Sequence, residues 1–278
     1  MANNLPTEKK ILIVSQLAEG ASIRAIERIT GVHRDTVMRL GYRVGKACEQ
    51  IHNEKMRNLT SAEIQIDEIW GFVGAKQKNA GRWPWLRGVG DVWTFIALDR
   101  DSKVIPSYWV GQRTMDHARI FLKDLESRLA NRIQLSADAL AAYRETIGSA
   151  FGSEVDFGQI VKTYSVVNLD KSAAGRYSPA QVVHVKKTAV VGNPDMARVT
   201  TSHVEKQNHT LRMHCRRLTR LTNAFSKKLE NFCAAVALNF AYYNFCKSHL
   251  AIRMTPAQAA GIESSQWTVA ELVERCGE

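Results

Sequence analysis

One run early in the chain limits the fold more than any other. In Ile64-Gln65-Ile66-Asp67-Glu68-Ile69-Trp70-Gly71-Phe72-Val73, the residues Ile64, Ile66, Trp70 and Phe72 alternate with Gln65, Asp67, Ile69 and Val73, as in a strand. Two adjacent carboxylates sit in its middle. Burying charge is costly unless it is paired or coordinated, so these carboxylates require either hydrogen-bond partners or a task. Adjacent strand residues face opposite ways, and the pattern leaves open whether Asp67 or Glu68 faces a functional cleft.

The elements that follow have a recognisable order. Val92 to Leu98 and Val104 to Val110, joined by the turn chemistry of Asp99-Arg100-Asp101-Ser102, complete an antiparallel meander. Asp116 to Leu129 is an amphipathic helix with Ala118, Phe121, Leu122, Leu125 and Leu129 inward; a short strand, Arg132 to Ser136, then runs into Asp138, and Ala141 to Ala150 is helical. This order predicts an α/β ribonuclease-H-like core, a mixed sheet with flanking helices. Its first and fourth strands are neighbours, so Asp67 and Asp138 are expected to meet. A third candidate, Glu205, opens a helix whose apolar stripe is Val204, Leu211, Cys215, Leu218 and Phe225, with Asn208 and Arg212 on the same face. Ser202 and Glu205 also fit a capping box, and both readings stay open.

Before the first strand the chain reads as helices. Pro6 and Thr7 open a first helix with Ile11, Val14, Leu17 and Ala18 at helical spacing, ended by Gly20; Ser22 caps a second helix with Ile23, Ile26 and Ile29 as its buried stripe, broken by Gly31; His33 to Val44 sends Val37, Leu40 and Val44 inward. This pattern predicts a helix-turn-helix over residues 1–58, with Arg34, Thr36, Arg39 and Arg43 outward on the recognition helix. Residues 59–250 would form the catalytic domain, with an insertion near 165–198, and residues 251–278 a tail.

Charge supports a polyanionic partner. Thirty-eight Lys and Arg against 27 Asp and Glu give +11 over 278 residues, and the excess lies outside 61–159, where twelve basic residues face thirteen acidic ones. Between Lys206 and Lys228 there are seven basic residues and no acidic one. As one continuous helix, this segment would put Arg212, Arg216 and Arg220 on a shared phosphate-facing side, with Arg217 about 100° round. Lys186 and Lys187, within the possible strand Val182 to Val191, would belong to a DNA-facing hairpin. Trp83-Pro84-Trp85 would either stack on unpaired bases or pack beneath a hairpin. The five cysteines fit neither a zinc ribbon nor a disulfide framework and read as buried thiols. No signal peptide or membrane span is expected, so the reading is cytoplasmic. The scattered histidines have no necessary catalytic role, and His209 reads as a solvated surface residue.

The run Ile66 to Val73, Ser136-Ala137-Asp138 followed by Tyr143, and Val204-Glu205-Lys206-Gln207-Asn208 through Leu211-Arg212 and Arg217-Leu218 resemble the transposases of bacterial insertion sequence one. The likeness extends over about residues 5 to 262, and Tyr243-Asn244-Phe245 with Thr255 to Gly261 is similar to the tail of many DDE transposases. The resemblance implies a DDE triad at Asp67, Asp138 and Glu205, Mg2+ or Mn2+, with two ions expected, and double-stranded DNA as substrate: terminal inverted repeats, cleaved to free 3′-hydroxyls, and target DNA to which they are joined. Oxygen ligands suit such ions, and a pair about 3.5–4 Å apart can clamp both sides of a phosphodiester. A homodimer or higher oligomer on DNA is also implied. Two departures stand out: the cysteine-rich motif that many relatives place before the helix-turn-helix is absent, and Ala139 stands where they often have Gly. A repressor using only the helix-turn-helix, or a nuclease that never joins ends, are the alternatives.

Overall fold

The computed structural model describes residues 5–82, 88–164 and 182–278. Six strands form one mixed sheet: β1 Glu63–Val73, β2 Gly90–Asp99, β3 Tyr108–Gly111, β4 Ile133–Asp138, β5 Val155–Tyr164 and β6 Val182–Val191, in the order β3-β2-β1-β4-β5-β6. Pairing is antiparallel for β1 with β2, β2 with β3 and β5 with β6, and parallel for β1 with β4 and β4 with β5. This mixed α/β sheet with flanking helices is compatible with a ribonuclease-H-like core.

The described helices are α1 Thr7–Ala18, α2 Ile23–Thr30, α3 Arg34–Lys55, α4 Gln77–Ala80, α5 Met115–Glu126, α6 Ala141–Phe151, α7 Ser202–His214, α8 Leu229–Ala241, α9 Pro256–Ala259 and α10 Val269–Arg275. Alternation along β1 divides the packing. Ile64 and Ile66 join Phe121, Leu122 and Tyr143 beneath α5 and α6. Ile69 and Val73 join Val204, Leu211, Phe232 and Phe240 beneath α7 and α8. Phe121, Phe232 and Phe240 are fully buried, each contributing roughly 1.5–3 kcal/mol by leaving water.

Several elements differ from the sequence reading. β3 is shorter than expected because Ile105 exchanges two hydrogen bonds with the Asn244 side chain, Ile105 N–H to Oδ1 at 3.0 Å and Nδ2 to Ile105 C=O at 3.1 Å, and Pro106 has no N–H to offer a ladder. β5 was not anticipated, since Asp156, Gly158, Gln159 and Lys162 blur its alternation. Val182 to Val191 does form a strand, β6, at the sheet edge. The Ser22 side chain caps α2 as expected, accepting from Ala25 N–H, and Gly31 ends it at φ 69°. Ile29, however, is 66% exposed: successive steps of three at 100° per residue carry it about 120° round from Ile23 and off the buried face. α3 runs to Lys55, well beyond Val44.

The N-terminal helices are not packed only on one another. Ile13, Val14, Ile26, Val37, Leu40 and Val44 share one core with Ala237, Leu238, Ala241, Phe245, Trp267, Leu272 and Val273. Segments 5–58 and 251–278 thus close around the end of α8. α3 and α8 come close at Gly45, where an added Cβ would lie 2.2 Å from the Ala234 carbonyl oxygen. Backbone cannot yield as a side chain does, so Gly45→Ala should cost roughly 3 kcal/mol and lower the melting temperature by about 5–10 °C. An unchanged melting temperature would show that the two helices separate freely at this point. No described helix is long and apolar enough to cross a membrane.

Candidate metal centre

Parallel pairing of β1 with β4 brings two distant segments together. The register Ile66 to Ala137 places Asp67 and Asp138 side by side, one step beyond the last paired residues. β4 stops at Asp138, so the edge of β1 is open from there on. At that edge Asp67, Glu68 and Asp138 each offer a carboxylate oxygen, all within 4.8 Å of one another. The expected meeting of Asp67 with Asp138 is observed, and Glu68 joins them.

Each carboxylate is held differently. Asp67 faces α7, and Asn208 Nδ2 donates to its Oδ2 at 2.7 Å. Glu68 faces α6, where Tyr143 OH donates at 3.0 Å and Arg113 Nε at 2.7 Å. The Arg113 guanidinium lies 4.9 Å from the Trp93 ring centre and its Nη2 reaches to 4.0 Å from Asp138 Oδ2. Asp138 accepts from Leu140 N–H at 3.0 Å, which sets the turn into α6. Ala139 is accommodated in that turn.

The electrostatics follow from this crowding. Burial, then the adjacent Glu68 charge, pushes Asp67 up to about 7, with Asp138 and Glu205 adding to it. Glu68 is also raised, by burial and by Asp138, against the opposing pull of Arg113 and Tyr143. Among the described residues, Arg113 is the cation that stands against the three clustered carboxylates. An all-oxygen donor set with surplus negative charge in a partly buried position suits a hard divalent cation such as Mg2+ or Mn2+. The residues present fit that group.

Glu205 is not a member of the cluster. It lies one turn before Asn208 on α7, with its Oε1 bound by Lys162 of β5 and by Thr201 Oγ1 at 2.6 Å. The capping box with Ser202 does not form, because α7 begins at Ser202 itself. Gln65 of β1 instead accepts from His203 N–H at 2.9 Å and Val204 N–H at 3.2 Å, pinning the start of α7 over the strand that carries Asp67.

The expected phosphate-binding side of one long helix is also corrected. α7 ends at His214, and Arg216–Leu218 is a separate 3-10 turn, so Arg212, Arg216 and Arg220 share no helical face. Arg212 is turned inward: Nη1 donates to Leu218 C=O at 3.0 Å and Nη2 to Trp70 C=O at 3.3 Å, and burial lowers its pKa to about 10. It ties α7 to β1, so Arg212→Ala should destabilise the protein by about 2 kcal/mol, read as a lower denaturant midpoint. An unchanged midpoint would return Arg212 to the list of phosphate contacts. Arg217 is likewise turned inward, donating to Ala224 C=O at 3.2 Å, whereas Arg220 is exposed.

On α3, Arg34 and Arg39 are exposed and Thr36 half-buried at the N-terminal turns. Arg43 is exposed but its Nη2 donates to Glu278 at 2.9 Å. Lys186 is exposed, while Lys187 is bound to the carbonyls of Met196 and Ala197 at 2.8 and 3.2 Å. His209 is exposed, as expected. Cys48, Cys215 and Cys246 are buried; Cys233 and Cys276 are partly exposed. Trp83-Pro84-Trp85 and residues 165–181 of the insertion lie outside the described residues. Sequence reasoning missed Arg113, Tyr143, Gln65 and Lys162. Tyr143 stood within the motif that suggested a family, whereas the other three carried no local signal. No protein-family model matches the chain, and no curated protein matches it in sequence.

Proposed function

We propose that this chain is a metal-dependent DNA transposase, which cleaves the ends of a mobile element to free 3′-hydroxyls and joins them to target DNA. The observation that carries the reading is the meeting of Asp67, Glu68 and Asp138 at the open edge of β1. Supporting it are a sheet order compatible with a ribonuclease-H-like core, the basic surplus and the motif resemblance. Asp67, Glu68 and Asp138 would hold the divalent cation. Glu205 would join them only on release from Lys162.

A bound cation supplies Lewis acidity at the phosphodiester and lowers the pKa of the attacking hydroxyl. The chain's residues do the rest. Asn208 orients the Asp67 carboxylate, and Gln65 fixes α7 so that Asn208 stays in place. Arg113 offsets part of the cluster's charge and anchors Glu68. In this reading α2 and α3 act as a helix-turn-helix, with Arg34, Thr36 and Arg39 as groove contacts and Arg43 withdrawn toward Glu278. Exposed Arg220 and Lys186 would hold phosphates.

The test uses the full-length protein, Mg2+ and labelled duplexes containing the sequences that flank the gene. Transposase action yields specific 3′-hydroxyl ends and joined products. Cleavage without joining would replace the reading with a nuclease, and specific binding without cleavage would replace it with a repressor.

A further inference from the structure

Past the carboxylates, the open edge of β1 meets the segment that follows the 3-10 turn. Val73 bridges Ser226 there, and Gly74 N–H donates to Ser226 C=O at 2.8 Å. Between the two lies a cleft of about 330 Å³ lined by Phe72, Lys76, Leu221, Thr222, Asn223 and Phe225. The Phe72 and Phe225 ring centres are 4.8 Å apart, Trp70 lies 5.7 Å from Phe72, and the Lys76 ammonium sits 5.6 Å from the Trp70 ring centre. Leu221 projects at the rim, 88% exposed and at φ 57°, and the amide-bearing Asn223 is exposed beside it.

This wall combines three features that a ligand could use. Aromatic faces provide a stacking platform, the Asn223 amide can donate and accept, and Lys76 supplies a cation at the mouth. The chain on the far side, Leu221 to Phe225, is flanked by the exposed Arg220, Lys227 and Lys228, so its charge complements a polyanion. A neutral apolar peptide would not account for that charge. We propose that the cleft is a binding site for one unpaired DNA base, stacked on Phe72 and Phe225, hydrogen-bonded by Asn223 and with its phosphate near Lys76. The inference rests on the reading of DNA as substrate and adds a requirement for a locally unpaired strand. Phe72 is five residues along β1 from Asp67, about 17 Å at strand rise, or about five stacked nucleotides.

The experiment compares a blunt duplex with one carrying a single-stranded extension in which 2-aminopurine replaces one base at a time. Wild-type protein should bind the extended DNA about 5- to 150-fold more tightly and quench 2-aminopurine at one preferred position. Phe225→Leu, which keeps an apolar contact with Phe72, and the surface change Asn223→Ala should each erase most of that preference while blunt-duplex affinity and the melting temperature stay unchanged. Equal affinity for both DNAs, or quenching that survives in both variants, would overturn the inference alone. Failure to bind either DNA would overturn it together with the reading it rests on.

Discussion

Asp67→Asn and Asp138→Asn should each lower Mg2+-dependent DNA cleavage by about 10³-fold or more, since each removes one of the charges that would hold the cation and keeps the shape. Binding to duplex DNA should stay within about twofold, because the exposed basic surfaces are untouched. The informative comparison is between Glu68→Gln and Glu205→Gln. The carboxylate grouping requires the larger loss at Glu68, whose oxygen lies with those of Asp67 and Asp138, while Glu205 is engaged by Lys162. The reverse order, with Lys162→Ala raising cleavage, would show that Glu205 leaves its lysine to complete the set. Near-normal cleavage by Asp67→Asn and Asp138→Asn alike would remove the centre from the reaction altogether.

The same substitution should make the metal-free protein more stable in alkaline solution. Asp67 has its pKa raised from 3.8 to about 7 by burial first and by neighbouring carboxylates next. In the unfolded chain it ionises near 4, whereas in the fold it holds its proton until about 7. Its contribution to stability is therefore complete below about pH 4 and is lost as pH rises through about 7. At pH 8 the ionised Asp67 costs the folded protein on the order of 2–4 kcal/mol, a penalty that Asp67→Asn removes. Urea unfolding in chelator should show the variant ahead at pH 8 and level with wild type at pH 4. Mg2+ should close the gap at pH 8 by stabilising only wild type, and its apparent affinity should climb as pH rises toward 7. A stability difference that does not vary with pH would mean that Asp67 titrates alike in the folded and the unfolded chain.

Much of the centre was legible in the sequence because period-two and helical patterns are local. β1, β2, α5, β4 and α6 each declare themselves over a few residues, and the neighbouring of β1 and β4 followed from their order. What was not legible depends on partners distant in the chain. Gln65 caps α7 from 138 residues away, so the Ser202 capping pattern was a local signal overridden by tertiary structure. Lys162 was invisible as a partner for Glu205 because β5 itself was blurred by polar residues. The long arginine helix failed for a related reason: the Arg212 side chain takes the Leu218 carbonyl, and Thr219 Oγ1 donates to Arg212 C=O at 3.0 Å, stabilising a turn where periodicity alone would continue the helix. Arg113 sits in the connection between β3 and α5, where no repeat marks a residue that will fold back onto Glu68.

The core shared by the two ends of the chain bears on how the protein is made. Ile13, Val14, Ile26 and Leu40 leave the ribosome well before their partners Phe245, Trp267, Leu272 and Val273, which follow roughly 200 residues later. At about 5–20 residues per second, the first helices wait roughly ten to fifty seconds before their apolar faces can be covered. During that interval they are natural clients for chaperones, and a chain halted before residue 237 would leave them bare. The surface bearing Arg34 and Arg39 thus matures only after the segment around Phe245 to Val273 has emerged, making correct assembly of these helices a report on the integrity of the intervening message.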